Sequence, residues 1–126
     1  MAHEISGFRD GTPAAAADLS ANQFYAVKIT AANSVNLAGA GEAAYGILQN
    51  KPKSGQACDV MVVGVTKAQA GAAISAGAKL MIDATGRVVT FSGSAKTVVG
   101  VAKETAAAAG EVISVYFSGL VGHVSP

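Results

Sequence analysis

The chain has 126 residues, of which 51% are hydrophobic and 13% are charged, and nine basic residues nearly balance eight acidic ones. A chain of this length forms one domain and buries roughly two thirds of the surface that its unfolded form exposes. The balanced charge excludes the basic surface that binding to duplex nucleic acid requires, so no nucleic-acid partner is expected.

The N-terminal segment, residues 1–18, has neither helical nor strand periodicity and contains Gly11 and Pro13, which disfavour helix. We therefore predict an extended N-terminal arm. Its charged residues Glu4 and Arg9 stand where a secretory signal requires an uncharged apolar stretch, so export by that route is not expected. Ordering such an arm costs more than its few apolar side chains return, so we predict that it orders only against a strand edge of a partner.

After the arm, short segments of alternating or continuous apolar residues are separated by Gly, Asn and Ser. This pattern predicts an all-β fold, a small barrel or sandwich of about eight short strands. Helix is conceivable only in TKAQAGAAISA and KETAAAA, each of which is either a turn or two of helix or a loop. The predicted strands are FYAVKIT, SVNLA, AYGIL, ACDVMVVGV, AKLMID, RVVTF, KTVVGVAKE and EVISVYFSG.

The strand region repeats itself with a step of 54 or 55 residues. Apolar positions match apolar positions, and a slip of one residue would exchange the faces of every strand. The pattern predicts a single domain, residues 19–120, built from two pseudo-repeated four-stranded units, 19–65 and 74–120, with a C-terminal tail, 121–126. The matches are Tyr25 with Leu80, Val27 with Ile82, Val35 with Val89, Leu37 with Phe91, Cys58 with Ile113, Val60 with Val115 and Val62 with Phe117.

The matched residues form the predicted core together with Tyr45, Ile47, Val99 and Val101. Gly46 and Gly100 fall at matching places inside two strands, where glycine costs stability unless a bend, a bulge or a close backbone approach requires it. We expect a bend that curls the sheet.

Residue types that carry chemistry are few in this sequence. The two histidines, His3 and His123, lie near opposite termini, and the single cysteine, Cys58, matches an isoleucine in the second copy. This distribution does not favour a catalytic base or a metal site, and it indicates a buried, unreactive cysteine. We predict no catalytic residue, no metal, no cofactor and no small-molecule substrate. The longest apolar run, Val60 to Val65, is too short to span a bilayer, so no membrane partner is expected.

The segments LSANQFYAVKI, AISAGAKLMID followed by Gly-Arg, and VVGVAKETAAAAGE resemble the capsid cement, or head decoration, proteins of tailed phages. The resemblance covers the chain from about Leu19 to Leu120 and implies a non-enzymatic virion protein. Such a protein is made in the host cytoplasm, binds the major capsid protein on the outer surface of the shell, often as a homotrimer, and stabilises the capsid. The alternative is another phage structural β module, such as a tail or baseplate component; an enzyme or ligand-binding barrel is disfavoured by the apolar strand faces.

Two sets of residues are candidates for contacts with other chains. In the arm, Ile5, Phe8 and Arg9 form the predicted capsid-binding element. The last strand of each copy is apolar on both faces, and a contiguous exposed apolar patch is unusual on a monomer. We therefore predict an oligomer contact near Met61, Val63 and Tyr116.

Overall fold

The computed structural model describes residues 7–93 and 96–118. Within these ranges the chain is all-β and contains no helix, which confirms the predicted fold class. Hydrogen bonds join the strands into one open sheet rather than a closed barrel. The ten strands are β1 (Phe8–Asp10), β2 (Ala14–Ala15), β3 (Ala26–Ala31), β4 (Ser34–Leu37), β5 (Gly46–Leu48), β6 (Val60–Gln69), β7 (Lys79–Ile82), β8 (Val88–Thr90), β9 (Gly100–Ala102) and β10 (Val112–Ser118).

Each predicted strand segment overlaps one of the strands β3 to β10, although β6 extends four residues beyond its predicted segment. The two segments for which a short helix was conceivable are not helical. The first, TKAQAGAAISA, begins with the second half of β6, because residues 66–69 pair with β10 instead of coiling. The second, KETAAAA, is a loop between β9 and β10.

The strand order shows that the two halves of the sheet are built alike. It runs β4-β3-β5-β6 in the first half and continues β10-β9-β7-β8 in the second. In the first half β5 pairs with β3 and β6, and in the second half β9 pairs in the same way with β7 and β10. The last strands of the two halves, β6 and β10, pair with each other antiparallel at the centre of the sheet. This pattern supports the proposal that the chain consists of two copies of one four-stranded unit.

The resemblance between the halves extends into the N-terminal segment. Ala15, in β2, exchanges two backbone hydrogen bonds with the loop before β6, and Ala70 exchanges the equivalent two with the loop before β10. Likewise, β2 pairs in parallel with β4, and Ala70 forms a parallel bridge with Val88 of β8. The second half of β6 therefore corresponds to β1, so each unit begins about ten residues earlier than the sequence indicates.

The strand pairing corrects the alignment of the two units. Gly46 pairs with Val27, and its counterpart Gly100 pairs with Leu80, so Val27 corresponds to Leu80 and not to Ile82. This shift of two residues keeps the strand face. In the next strand, Val35 pairs with Ile29 and Val88 pairs with Ile82. Ile29 and Ile82 each lie two residues after the matched pair Val27 and Leu80, so Val35 corresponds to Val88. That shift of one residue exchanges faces, which is why Val88 is buried.

The core consists of two clusters, one centred in each half. Every member of the first cluster has a counterpart in the second, where additional residues from both halves join it. The same side-chain positions thus build both cores. The first cluster contains Ala15, Leu19, Val27, Val35, Leu48, Cys58 and Val60; their counterparts, in the same order, are Ala70, Ile74, Leu80, Val88, Ala102, Ile113 and Val115.

Of the predicted core residues, eleven are fully buried, six are half-buried and one is exposed. Val101 is 38% exposed, because it lies on the outer face of β9. Tyr25, Leu37, Tyr45, Val62, Val89 and Phe91 are half-buried. The fully buried residues of the prediction are Val27, Val35, Ile47, Cys58, Val60, Leu80, Ile82, Val99, Ile113, Val115 and Phe117.

The N-terminal arm is extended, as predicted, but the expectation that it orders only on a partner is wrong for its described part, from residue 7 onward. Within it, β1 pairs antiparallel with β6 and β2 pairs in parallel with β4. The backbone pairing that was expected from a partner is supplied by strand edges of the chain itself.

Candidate interaction surfaces

The described residues offer no constellation for metal binding, since none of their His, Cys, Asp and Glu side chains form a group of three. Cys58 is buried, and burial raises the pKa of its thiol. His3 and His123 lie outside the described residues. Within the described ranges there is also no helix long and apolar enough to span a bilayer. The features that remain are surfaces able to contact other macromolecules.

The first of these surfaces is the start of the described chain. Its backbone is held by the pairing of β1 with β6, and the Arg9 guanidinium lies 2.8 Å from the Asp59 carboxylate. Gly7, before β1, lies so close to the backbone of Val63 and Gly64 in β6 that a side chain there would have no room. Phe8 lies between Gly7 and the ion pair of Arg9 and is 77% exposed. A large apolar side chain is therefore held out into solvent on a fixed strand.

Asp10 fixes the other end of this strand. Its carboxylate accepts a 2.6 Å hydrogen bond from the hydroxyl of Thr12 and a 2.6 Å hydrogen bond from the hydroxyl of Tyr45. These hydrogen bonds, that of Thr12 first, lower the pKa of Asp10, and the same contact with Asp10 raises the pKa of Tyr45. The N-terminal segment is thus tied by its side chains to the loop before β5.

The second surface is the outer face of the second half of the sheet. Tyr116 of β10 pairs with Val101 of β9 on one side and with Val65 of β6 on the other, and Val101 pairs with Lys79 of β7. Tyr116 and Val101 are 45% and 38% exposed. Paired residues on neighbouring strands share a face, so these side chains form one continuous, largely apolar row.

The predicted contact residues differ in their environment. Phe8, Arg9 and Tyr116 are exposed, and Val63 is half-buried. Met61 is fully buried, with its sulfur near Gly7 and Gly64, so its side chain is not part of an accessible surface. Ile5 lies outside the described residues.

Sequence reasoning missed two exposed apolar residues, Val112, which is 39% exposed, and Ile29, which is 55% exposed in the second half of β3. Alternation along FYAVKIT indicates that Ile29 shares a strand face with Val27. It does not indicate that this face is buried at Val27 and exposed at Ile29. No sequence signal marks the exposure of Ile29, since its counterpart in the corrected alignment, Ile82, is buried.

A shallow groove of about 310 Å³ lies between the loop before β3 and the place where the last residue of β6 pairs with the first of β10. Phe24, whose ring lies 5.8 Å from the Lys67 ammonium, forms one wall. The other lining residues are Ser20, Ala21, Gln23, Lys51, Gln69 and Val112. Because the lining contains no titratable cluster, the groove offers no reactive site.

Comparison with known proteins gives two similarities. A family model described as phage cement protein matches residues 8–117. Among solved structures, the base of the head fiber protein gp8.5 of bacteriophage phi29 superposes with a TM-score of 0.67 at 18% sequence identity, covering 88% of this chain and 92% of that chain. This second similarity shows a shared fold. Comparison with curated proteins gives no match.

Proposed function

The chain belongs to the phage cement protein family, which makes it a structural component of the capsid exterior, and we propose that it binds the assembled shell from outside and stabilises it. Its partner is the major capsid protein, and it acts as a homotrimer. The observation that carries this proposal is the family match, which spans both units from the start of β1 to the penultimate residue of β10.

Attachment is assigned to the N-terminal segment. Phe8 is the most exposed of the large apolar side chains among the described residues, and β1 holds it in place before any partner binds. Burying a side chain of this size contributes about 2 kcal/mol. Because β1 is already ordered, little conformational entropy opposes that gain.

The trimer explains how weak individual contacts hold a shell together. Three copies in one assembly present three N-terminal segments, so the second and third contacts form at a high effective concentration. Contacts on neighbouring capsid subunits then tie those subunits together, which resists their separation.

Substitution of Phe8 tests the attachment. Phe8→Ala removes about 2 kcal/mol of burial per contact and should weaken binding to undecorated capsids by about 30-fold or more. Binding is measured by co-sedimentation, and shell stability by the temperature at which capsids release DNA. Val112→Ala is the matched control, since Val112 is also apolar and 39% exposed but lies in β10, away from β1.

Equal binding by Phe8→Ala and wild-type protein would reject the role of Phe8. Capsids that bind the protein without gaining heat resistance would reject the stabilising function. Recovery of the protein with purified tails, and not with purified heads, would instead indicate a tail or baseplate component.

A further inference from the structure

The two halves of the chain contact each other through different surfaces of the same unit. The first half contributes what we call its row surface: Ala26, Ala38, Ala44 and Ile47. The second half covers it with what we call its end surface: Ala68, Ile82, Val99 and Phe117. All eight residues are buried in one cluster.

Backbone hydrogen bonds lock this contact. The Gly41 amide donates to the Ile82 carbonyl at 2.8 Å, and the Ala26 amide donates to the Gly86 carbonyl at 2.7 Å. Gly41 also accepts a 3.0 Å hydrogen bond from the Thr97 amide. The contact is therefore a specific interface between two units and not only an apolar collapse.

Each half also carries the kind of surface that the other half uses in this contact. Within the described residues, neither of these two further surfaces is covered by the other half. The row surface of the second half consists of the equivalent residues Lys79, Phe91, Val98 and Val101, with Tyr116 beside them in the position of Met61. The end surface of the first half consists of the exposed Ile29 and the half-buried Tyr45 and Val62, while Pro13, the counterpart of Ala68, is already buried within the first half.

Burial changes sharply between equivalent positions. In the first half, Ala26, Ile47 and Met61 form a buried row, whereas their counterparts Lys79, Val101 and Tyr116 are all exposed. On the end surface the buried Ile82 corresponds to Ile29, which is 55% exposed, and the buried Val99 and Phe117 correspond to the half-buried Tyr45 and Val62. Two of the large exposed apolar residues, Ile29 and Val101, thus occupy positions that are buried in the contact between the halves, and Tyr116 pairs with Val101 on the same face.

We propose that copies of this chain associate head to tail, with the first-half end surface of one copy packed on the second-half row surface of the next. Ile29, Tyr45 and Val62 then cover Val98, Val101 and Tyr116, as Ile82, Val99 and Phe117 cover the first-half row surface within the chain. The partner is a second copy of this chain, because within the chain a row surface is covered by an end surface, and each copy has one uncovered surface of each kind.

The two surfaces in this contact are different, so the interface is heterologous. Repeated heterologous contacts close into a ring when the rotation permits and otherwise extend into a filament. A ring of three is the trimer of the proposed function, which this inference deepens without depending on capsid binding.

One row position changes from apolar to charged, since Lys79 replaces Ala26, and two change from alanine to a larger apolar residue, since Phe91 and Val98 replace Ala38 and Ala44. The methylene stem of a lysine can lie along an apolar surface while its ammonium group reaches water at the rim. The contact between copies is therefore expected to be looser and more polar than the contact within the chain.

Two single variants and their mixture test the proposal. Ile29→Asp disables the end surface, Val101→Asp disables the row surface, and each buries a charge without a partner if the contact forms. Each variant alone should lose about threefold in particle mass by light scattering, from trimer to monomer. Mixed in equal amounts, they retain one intact surface each and should form dimers and nothing larger.

Ile29→Ser and Val101→Ser repeat the test with smaller changes, and circular dichroism checks that all variants are folded. Val112→Asp is the control, because Val112 is equally exposed but belongs to neither surface, and it should keep the wild-type mass. A monomeric wild-type protein, single variants of wild-type mass, or a mixture without dimers would each overturn the proposal. Capsid binding by wild-type protein is scored separately, so either proposal can fail without the other.

Discussion

Gly46 and Gly100 show how strongly one backbone position is constrained in both units. A methyl group on Gly46 would overlap Val60 and approach the Met61 carbonyl oxygen to 2.5 Å, and one on Gly100 would overlap the Tyr116 carbonyl oxygen. The sequence correctly marks both residues, but the expected bend is not what the contacts show. The close approach of the next strand leaves no room for a side chain.

Gly100→Ala should therefore lower the free energy of unfolding by about 1 to 3 kcal/mol, as overpacking against backbone does. Gly46→Ala should cost a similar amount. Gly11→Ala is the matched control, because a methyl group on Gly11 would meet no atom within 4 Å beyond its chain neighbours, and its effect should stay within about 0.5 kcal/mol. Urea unfolding measures all three, and equal effects at Gly100 and Gly11 would refute the close-approach argument.

The Asp10 hydrogen bonds give the N-terminal segment a pH dependence. The pKa of Asp10 is lowered in the folded protein, first by Thr12 and then by Tyr45. A carboxyl group of this kind contributes stability at pH values above its unfolded pKa of about 3.9 and loses that contribution as the pH falls through its folded pKa.

Thr12→Val and Tyr45→Phe should each destabilise the protein at neutral pH, and the difference from wild type should shrink below about pH 4. The measurement is urea unfolding between neutral pH and about pH 2.5, which spans the fall through the folded pKa. The hydroxyl partners of Asp10 are Thr12 and Tyr45, so Tyr25→Phe should show a difference that does not vary in this range. A pH-independent loss in Tyr45→Phe would exclude the carboxylate as its cause.

Among the elements, β6 explains most of what sequence reasoning missed. It is the longest strand because its first half ends one unit and its second half, corresponding to β1, begins the next. Residues 66–69 resemble helix or loop in sequence because alanine among polar residues favours helix locally, while pairing with β10 overrides that preference. Because the strand character of residues 66–69 was not recognised, the start of the second unit was placed too late, and β1 and β2 appeared to be an arm outside the repeat.

In contrast, the strands from β3 onward were predictable, since apolar alternation cut by Gly, Asn and Ser is a local signal. Strand register was less accessible, because Val88 and Val89 are chemically identical and only pairing decides which one is buried. Of the candidate contact residues, Phe8 and Tyr116 were proposed from their apolar character and are exposed, whereas the burial of Met61 depends on β1 and could not be inferred.

For the whole molecule, the sequence predicts two similar units but not how they contact each other. That contact joins residues far apart in the chain, and the same residue type appears on both sides of it. Ile82 and Ile29 occupy equivalent positions, yet the first is fully buried by the other unit and the second is 55% exposed. Identity of sequence position therefore says nothing about burial until the arrangement of the units is known.

This pair provides a direct measure of the contact between units. In the Val101→Asp background, which we expect to be monomeric, Ile82→Ala should lower the free energy of unfolding by about 2 to 5 kcal/mol, because it opens a cavity in the shared cluster. Ile29→Ala, the same change at the equivalent exposed position, should stay within about 0.5 kcal/mol.

Hydrogen exchange distinguishes a shared core from two separate ones. Since Ile82 packs in one cluster with Ala26 and Ile47 of the first half, Ile82→Ala should reduce amide protection in β3 and β5 as well as in β7 and β9. Loss of protection confined to the second half would mean that the units unfold independently. The intrachain contact would then be too weak to serve as the template for contacts between copies.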